Sequence, residues 1–265
     1  MSAPRFSIIT VCLNAEAHIA EAIESVLAQD TTDYEYVVAD GRSSDATLAI
    51  VRANEPRFGG RLSIASEPDA GLYDAMNRAL ARASGDYVEF LGADDRLLPG
   101  ALSAVGRVLD ADEPADIVCG RTHVFSATAS WDEPPRRVLR RGMLARVPAS
   151  HQATFVRREA IAAVGGFDLR FGIAADYDLY LRLIEAGCSE VYIDETLAEF
   201  RLGGVSSRDA LSTARDYRDV RVAHGANPLV ESLVMLKSAA AATAFSAWKQ
   251  VVRSGRTRTQ DEDAR

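Results

Sequence analysis

Cysteine is scarce in this 265-residue chain: only Cys12, Cys119 and Cys188, far apart and odd in number. No Cys-x-x-Cys pair occurs. That argues against a disulfide framework and against a thiolate zinc site, and fits a reducing compartment. Long apolar runs are also lacking. No stretch reaches the ~18 uncharged apolar residues of a membrane span. The apolar run from Phe6 to Leu13 meets Asn14 and Glu16 at once, with no small-residue cleavage site. The expected location is therefore cytoplasmic. Basic residues are outnumbered, 30 Lys and Arg against 38 Asp and Glu, for a net charge of −8. Such a balance speaks against general nucleic-acid binding, because phosphate contacts need clustered Lys and Arg. Two nucleotide signatures are missing as well. No Gly-x-Gly-x-x-Gly follows the first apolar run, and no Gly-x-x-x-x-Gly-Lys-Ser/Thr occurs anywhere. Their absence disfavours a dinucleotide dehydrogenase and a P-loop NTPase.

What is present is an ordinary globular composition, 48% hydrophobic and 26% charged. The length suits one large domain or two small ones and is ample for a core. Over the first 120 residues, β-rich runs alternate with helical spacing. Strands are expected at Phe6–Val11, Tyr36–Ala39, Leu62–Ala65 and Tyr87–Leu91, with a fifth beginning at Ile117. Helices are expected at Ala15–Ala28, Asp45–Arg52, Leu72–Ala83 and Pro99–Leu109, the last with Pro99 in its first turn. Strands separated by helices imply parallel pairing with right-handed crossovers, hence a doubly wound α/β sheet. After residue 125 the alternation breaks. Trp131–Arg141 reads as a loop and His151–Val156 as a strand. Tyr177–Ala186 reads as a helix, and Val191–Ile193 and Leu197–Arg201 as two short strands. Helical stretches follow at Asp209–His224 and Leu229–Val252.

Ligands of an open parallel sheet bind beyond the carboxyl ends of its strands. The segments there are Cys12-Leu-Asn14, Asp40-Gly-Arg-Ser43, Glu67-Pro-Asp-Ala-Gly71 and Gly92-Ala-Asp-Asp95. Three of the four carry Asp. Carboxylates gathered in one cleft repel unless a cation or donor groups compensate them. Oxygen-only ligands suit Mg²⁺ or Mn²⁺ rather than zinc.

Eight motifs in order make the chain resemble a family 2 glycosyltransferase of the GT-A fold over about residues 6–206. They are Ser7-Ile-Ile-Thr-Val-Cys-Leu-Asn14, Val38-Ala-Asp-Gly-Arg-Ser-Ser-Asp45, Glu67-Pro-Asp-Ala-Gly-Leu-Tyr-Asp-Ala-Met-Asn77, Phe90-Leu-Gly-Ala-Asp-Asp95, His151-Gln152, Gly165-Gly-Phe-Asp168, Ala175-Asp-Tyr-Asp178 and Gly203-Gly-Val-Ser206. The resemblance implies a GT-A catalytic domain over 1–206, with a donor half to about 120 and an acceptor half beyond, then C-terminal helices and a polar tail over 207–265. It also implies inverting transfer of a sugar from a nucleotide-diphosphate donor to a hydroxyl of a glycan or lipid-linked acceptor, as in enzymes that make bacterial polysaccharides and glycolipids.

Residue by residue, the resemblance places Thr10, Asn14, Asp40, Asp69 and Asp94 at the donor. It places Asp94 and Asp95 at a divalent ion, Mn²⁺ or Mg²⁺, that would stabilise charge on the leaving diphosphate. It makes Asp176 the general base, and it leaves His151, Arg201 and Ser206 as substrate or phosphate contacts. Two positions depart from the family pattern: Gly92 and Ala175 stand where the family carries acidic residues. Plainer roles are also open. Asp40-Gly41 can be a turn, Asp94-Asp95 a helix cap, and Asp176 an N-cap. Gly203–Ser206 can be a simple turn, and Asp74 and Asn77 exposed helix positions. Asp178 lies about 200° round a helix from Asp176 and has Arg182 at i,i+4, so the two Asp residues cannot share a site.

Arg136, Arg137, Arg140, Arg141 and Arg146 form a basic stretch that suits an anionic acceptor or a solvated loop. The last helix carries Leu229, Leu233, Leu236, Ala240 and Ala244 on one stripe and ends among Arg residues. That pattern fits peripheral contact with the inner face of a membrane, packing on the main domain, or a homodimer. A catalytically weak nucleotide-sugar-binding or scaffold relative is the competing function.

Overall fold

The computed structural model describes residues 3–111, 114–135, 150–203 and 210–237. The chain divides into two compact units, Met1–Gly204 and Val205–Arg265.

The first unit is built on a nine-stranded sheet. Strands β1 (Phe6–Cys12), β2 (Tyr34–Asp40), β3 (Leu62–Ser66) and β4 (Tyr87–Phe90) are all parallel, in the order β3-β2-β1-β4. Helices α1 (Ile19–Leu27), α2 (Thr47–Asn54) and α3 (Leu72–Leu80) connect them. β1 is buried along its whole length, as a strand covered on both faces should be. In α1, Ile19, Ala22, Ile23 and Val26 form the buried stripe that the sequence spacing predicts. A short strand β5 (Arg96–Leu97) follows, then α4 (Ala101–Leu109). This helix starts later than expected. Gly100 takes a left-handed φ of 80° between Pro99 and the first turn, so Pro99 lies outside the helix.

Beyond residue 115 the regular alternation ends. β6 (Ile117–Phe125) is not hydrogen-bonded to β4, because β8 (Thr154–Arg157) lies between them and is antiparallel to both. Trp131 lies in β7 (Ser130–Glu133), a hairpin partner of β6 rather than part of a loop. The two short strands expected near the end are one strand, β9 (Glu190–Arg201). It pairs with β6 across an irregularity between Cys119 and Arg121. Gly120 sits at that irregularity, and a Cβ there would lie 2.4 Å from Leu197 Cγ. A bulge lets one continuous strand look like two in the sequence. His151–Ala153 is a single tight turn before β8 rather than part of the strand. Helices α5 (Arg158–Ala163) and α6 (Ala175–Glu185) complete this unit.

In the second unit, α7 (Ala210–Ala223) is followed by a helix over 228–237. Arg221 and Glu231 form a buried ion pair at 2.6 Å. Leu229, Val230, Leu233 and Leu236 are exposed. The rest of the expected last helix, including Ala240 and Ala244, lies outside the described residues, as do Ser206 and the arginines from 136 to 146. Among the described residues, no helix is long and apolar enough to cross a membrane.

Candidate active site

Parallel pairing puts the carboxyl ends of β1 to β4 on one edge of the sheet. Antiparallel pairing brings the start of β8, and so the His151–Ala153 turn, to the same edge. The end of β9 arrives there beside β6.

On the β1–β3 side of this edge, the loops after β1 and β2 are laced together. Asn14, at φ 52°, donates its backbone N–H to Ser43 Oγ (2.8 Å) and accepts the Ser44 N–H on Oδ1 (2.9 Å). Asp45, one residue before the N-cap Ala46, accepts the Thr47 N–H at 2.9 Å in a local turn and also takes the Glu16 N–H at 3.1 Å. Asp40 is buried and accepts from the Ser43 N–H at 3.1 Å and the Ser66 hydroxyl at 2.6 Å. It therefore shapes the edge as a turn-forming carboxylate. Its neighbour, the buried Cys12 thiol, is pushed up to about 12 by desolvation, with the charges of Asp40 and Asp45 adding, so it stays protonated. Asp69 accepts the Gly71 N–H at 2.9 Å on Oδ1. Its Oδ2 occupies the space over Gly41, where a Cβ would come within 2.7 Å. Asp40, Glu67, Asp69, Arg78 and Arg82 line a shallow cleft between the strand ends and α3. The Thr10 side chain is fully buried and accepts the Tyr36 hydroxyl at 3.0 Å.

At the centre stand Asp94 and Asp95. Asp94 is half-buried, and its side chain has no hydrogen-bond partner among the described residues. Asp95 is 1% exposed. Its Oδ2 accepts the Gln152 side-chain amide at 2.8 Å and its Oδ1 the Arg201 backbone N–H at 2.9 Å. Burial pushes the Asp95 carboxyl up to about 6; the Asp94 charge adds to this, and the bonds from Arg201 and Gln152 oppose it. The missing acid at Gly92 has a steric reason: a Cβ there would lie 2.2 Å from Asp95 Oδ2. Among the described residues, no group of three or more His, Cys, Asp or Glu is arranged to hold a metal. A carboxylate without a side-chain partner, such as Asp94, suits a divalent ion that would take its other ligands from a bound substrate and water, as Mg²⁺ commonly does.

Arg201 is pinned from several directions. Its guanidinium pairs with Glu21 at 2.7 Å, lies 4.7 Å from the Phe125 ring centre, and donates from Nε to the Asp94 carbonyl at 3.3 Å. Arg96 reaches the same Glu21 and the same ring from β5.

On the far side of the edge, Asp176 lies in the first turn of α6 behind its N-cap Ala174, so it is not itself the cap. Its Oδ2 lies 3.3 Å from His151 Nδ1. Asp178 faces away and pairs with Arg182 at 2.7 Å, as the helical rotation requires. Asn77 is structural: it accepts the Phe167 N–H at 2.8 Å and donates to the Phe167 carbonyl at 2.9 Å. Asp74 takes the Ala70 N–H and Arg78.

Sequence reasoning missed two participants. Gln152 was visible only as the neighbour of His151. Glu89 is fully buried in β4, and neither of its oxygens has a hydrogen-bond partner among the described residues. Burial raises its carboxyl well above the usual range, and the Asp95 charge raises it further. The one signal was an acid inside the apolar run Tyr87–Leu91.

Residues 7–171 match the family description "Glycosyl transferase family 2". The chain belongs to glycosyltransferase family 2. It is 37% identical over 186 residues to the "PGL/p-HBAD biosynthesis glycosyltransferase" of Mycobacterium bovis (strain BCG / Pasteur 1173P2), covering 69% of this chain and 70% of that one. It is 30% identical over 215 residues to the "O-antigen biosynthesis protein RfbC" of Myxococcus xanthus, covering 77% of this chain and 16% of that one. Among solved structures, S. aureus TarS 1-349 in complex with UDP-GlcNAc superposes with a TM-score of 0.63 at 18% identity, over 88% of this chain and 71% of that one. Mannosyltransferase PcManGT from Pyrobaculum calidifontis, in complex with GDP-Man and Mn²⁺, gives 0.65 at 18% identity, over 97% and 81%. The fold of this family 2 member is GT-A, a mixed sheet whose strands β1 to β4 are parallel.

Proposed function

We propose that this family 2 glycosyltransferase moves a sugar, with inversion, from a nucleotide-diphosphate sugar to a hydroxyl of a glycan or lipid-linked acceptor. The observation that carries the reading is that Asp94 and the His151–Asp176 pair lie at the same sheet edge as the cleft lined by Asp40 and Asp69. The nucleotide sits over Asn14, Asp40 and Asp69. The diphosphate lies by Asp94, with a divalent ion, Mn²⁺ or Mg²⁺, and Arg201 near it. Such an ion would offset charge on the departing diphosphate. Asp95 supports this arrangement by tying the turn at 152 to the end of β9. The base function belongs to the acceptor-side pair of Asp176 and His151, whose side chains meet at 3.3 Å. Ser206 extends the phosphate contacts. The relatives named for glycolipid and O-antigen synthesis support an acceptor of that kind. The exposed leucines of the 228–237 helix suit peripheral membrane contact at the cytoplasmic face, or a second copy of the chain.

Two residues favour a scaffold reading instead: Gly92 and Ala175 stand where the family pattern carries acids. Calorimetric binding of UDP, GDP and dTDP, with and without Mn²⁺, to wild type and Asp94→Ala separates the two readings. Metal-dependent binding of one nucleotide, lost in Asp94→Ala, supports the transferase. Metal-independent binding that survives in Asp94→Ala favours the scaffold, and no binding by folded protein sinks the transferase reading.

A further inference from the structure

Asp176 is not an open carboxylate. Its Oδ1 accepts the Tyr177 backbone N–H at 2.7 Å, its Oδ2 faces His151 Nδ1 at 3.3 Å, and its side chain is 17% exposed. His151 is 33% exposed, and its Nε2 has no hydrogen-bond partner among the described residues. Of the two side chains, His151 is the more exposed, and one Asp176 oxygen is turned to the imidazole. An imidazole whose Nδ1–H rests on a carboxylate is held in one tautomer, with the Nε2 lone pair free.

We propose that His151 Nε2 takes the proton from the attacking hydroxyl, and that Asp176 is the positioning residue that orients the imidazole and balances its charge. This rests on the transferase reading above. As the attacking oxygen bonds to the anomeric carbon, the bond from that carbon to the diphosphate oxygen breaks, and its electron pair leaves with the nucleoside diphosphate. The hydroxyl proton ends on Nε2. The resulting imidazolium is paired with Asp176 and gives its proton to solvent through its exposed side.

The charged groups facing His151 are Asp176 from α6 and Asp95 from the loop after β4. Burial lowers the imidazole's pKa, but the Asp176 hydrogen bond and the two carboxylate charges outweigh it, so the net shift is upward. A histidine base therefore places the acid limb of turnover above pH ~6.5, whereas a carboxylate base places it near pH ~4.

The test needs no acceptor, since water can stand in for it. Hydrolysis of UDP-GlcNAc and GDP-mannose with Mn²⁺ is followed for wild type, His151→Ala and Asp176→Asn, beside calorimetric UDP and GDP binding. The expected result is a loss of roughly 10²–10⁴-fold in hydrolysis for His151→Ala, with nucleotide affinity unchanged. Added imidazole partly restores turnover, which a purely structural role would not permit. Asp176→Asn keeps the acid limb of a histidine but turns over slowly. His151→Ala with near-normal hydrolysis, beside an inactive Asp176→Asn and an acid limb near pH ~4, overturns the dyad and returns the base to Asp176. Wild type that binds UDP or GDP, yet shows no imidazole rescue of an inactive His151→Ala, also overturns it. Wild type that binds neither nucleotide fails the transferase reading, and the dyad with it.

Discussion

The Asp95 carboxylate lies in the space that a side chain at Gly92 would need: a Cβ built there comes within 2.2 Å of Asp95 Oδ2 and 3.0 Å of its Cγ. That oxygen is held by Gln152 at 2.8 Å, so it cannot swing away freely. Gly92→Ala is therefore expected to destabilise by about 1–3 kcal/mol, as other overpacked sites do. Gly92→Asp, which restores the family's acid, should be worse and should not tighten Mn²⁺ binding. Thermal melts and metal titration check this, and an unshifted Gly92→Ala melt would show that Asp95 has a second resting place.

The buried Glu89 has a pH signature. Its carboxyl is raised by burial, with Asp95 adding to the shift. An acid raised in the folded state holds its proton longer there than in the unfolded chain. Stability is thus highest below the unfolded value of ~4.3 and falls as pH climbs toward the raised folded value. Asp95, pushed up to about 6, acts in the same direction between pH ~4 and about 6. Glu89→Gln keeps the shape and cannot ionise. Its melting temperature should match wild type near pH 4 and exceed it at pH 8. Parallel curves at both pH values would mean that Glu89 is not protonated in the fold.

The parallel half of the fold could be read from the sequence because its signals are local. Ile19, Ile23 and Val26 mark one face of α1, and the runs at Phe6, Tyr36, Leu62 and Tyr87 mark buried strands. The second half depends on pairings between distant residues. No local pattern says that β8 inserts between β4 and β6, or that a bulge at Gly120 joins two apparent strands into β9. The site divides the same way. The motifs name Asp94, Asp95 and Asp176, but not that Asp95 faces Gln152 or that Asp176 faces His151, each far away in the chain.

Asn77 fastens α3 to the loop before α6 through two hydrogen bonds with the Phe167 backbone. Tyr73 reaches the same region through the Ile173 carbonyl at 2.8 Å. Asn77→Ala leaves a half-buried N–H and carbonyl without these partners, at a cost of about 1–3 kcal/mol. Because the loop leads into α6, the His151–Asp176 spacing should loosen too. A lower denaturation midpoint, with hydrolysis reduced but UDP or GDP affinity retained, is the expected result. Loss of nucleotide affinity as well would place Asn77 at the donor.

Asp176 and Asp178 should separate cleanly by variant. Asp178 is 4% exposed on its side chain and bonds Arg182 at 2.7 Å. Arg182 also donates to the Val164 carbonyl at 2.5 Å and the Gly166 carbonyl at 2.7 Å, so it clasps α6 to the end of α5. Asp178→Ala leaves a largely buried guanidinium without its counter-charge, and breaking such a pair typically costs about 3–5 kcal/mol. Asp176→Asn keeps the side chain's size and an acceptor oxygen in the first turn of α6, so its stability should stay within about 1 kcal/mol of wild type. The two therefore fall on opposite sides of one experiment. Urea unfolding should detect Asp178→Ala and barely register Asp176→Asn, while hydrolysis per folded molecule should do the reverse. A stable Asp178→Ala with lost hydrolysis would move the acceptor-side chemistry two residues along the helix, against the geometry that turns Asp178 toward Arg182.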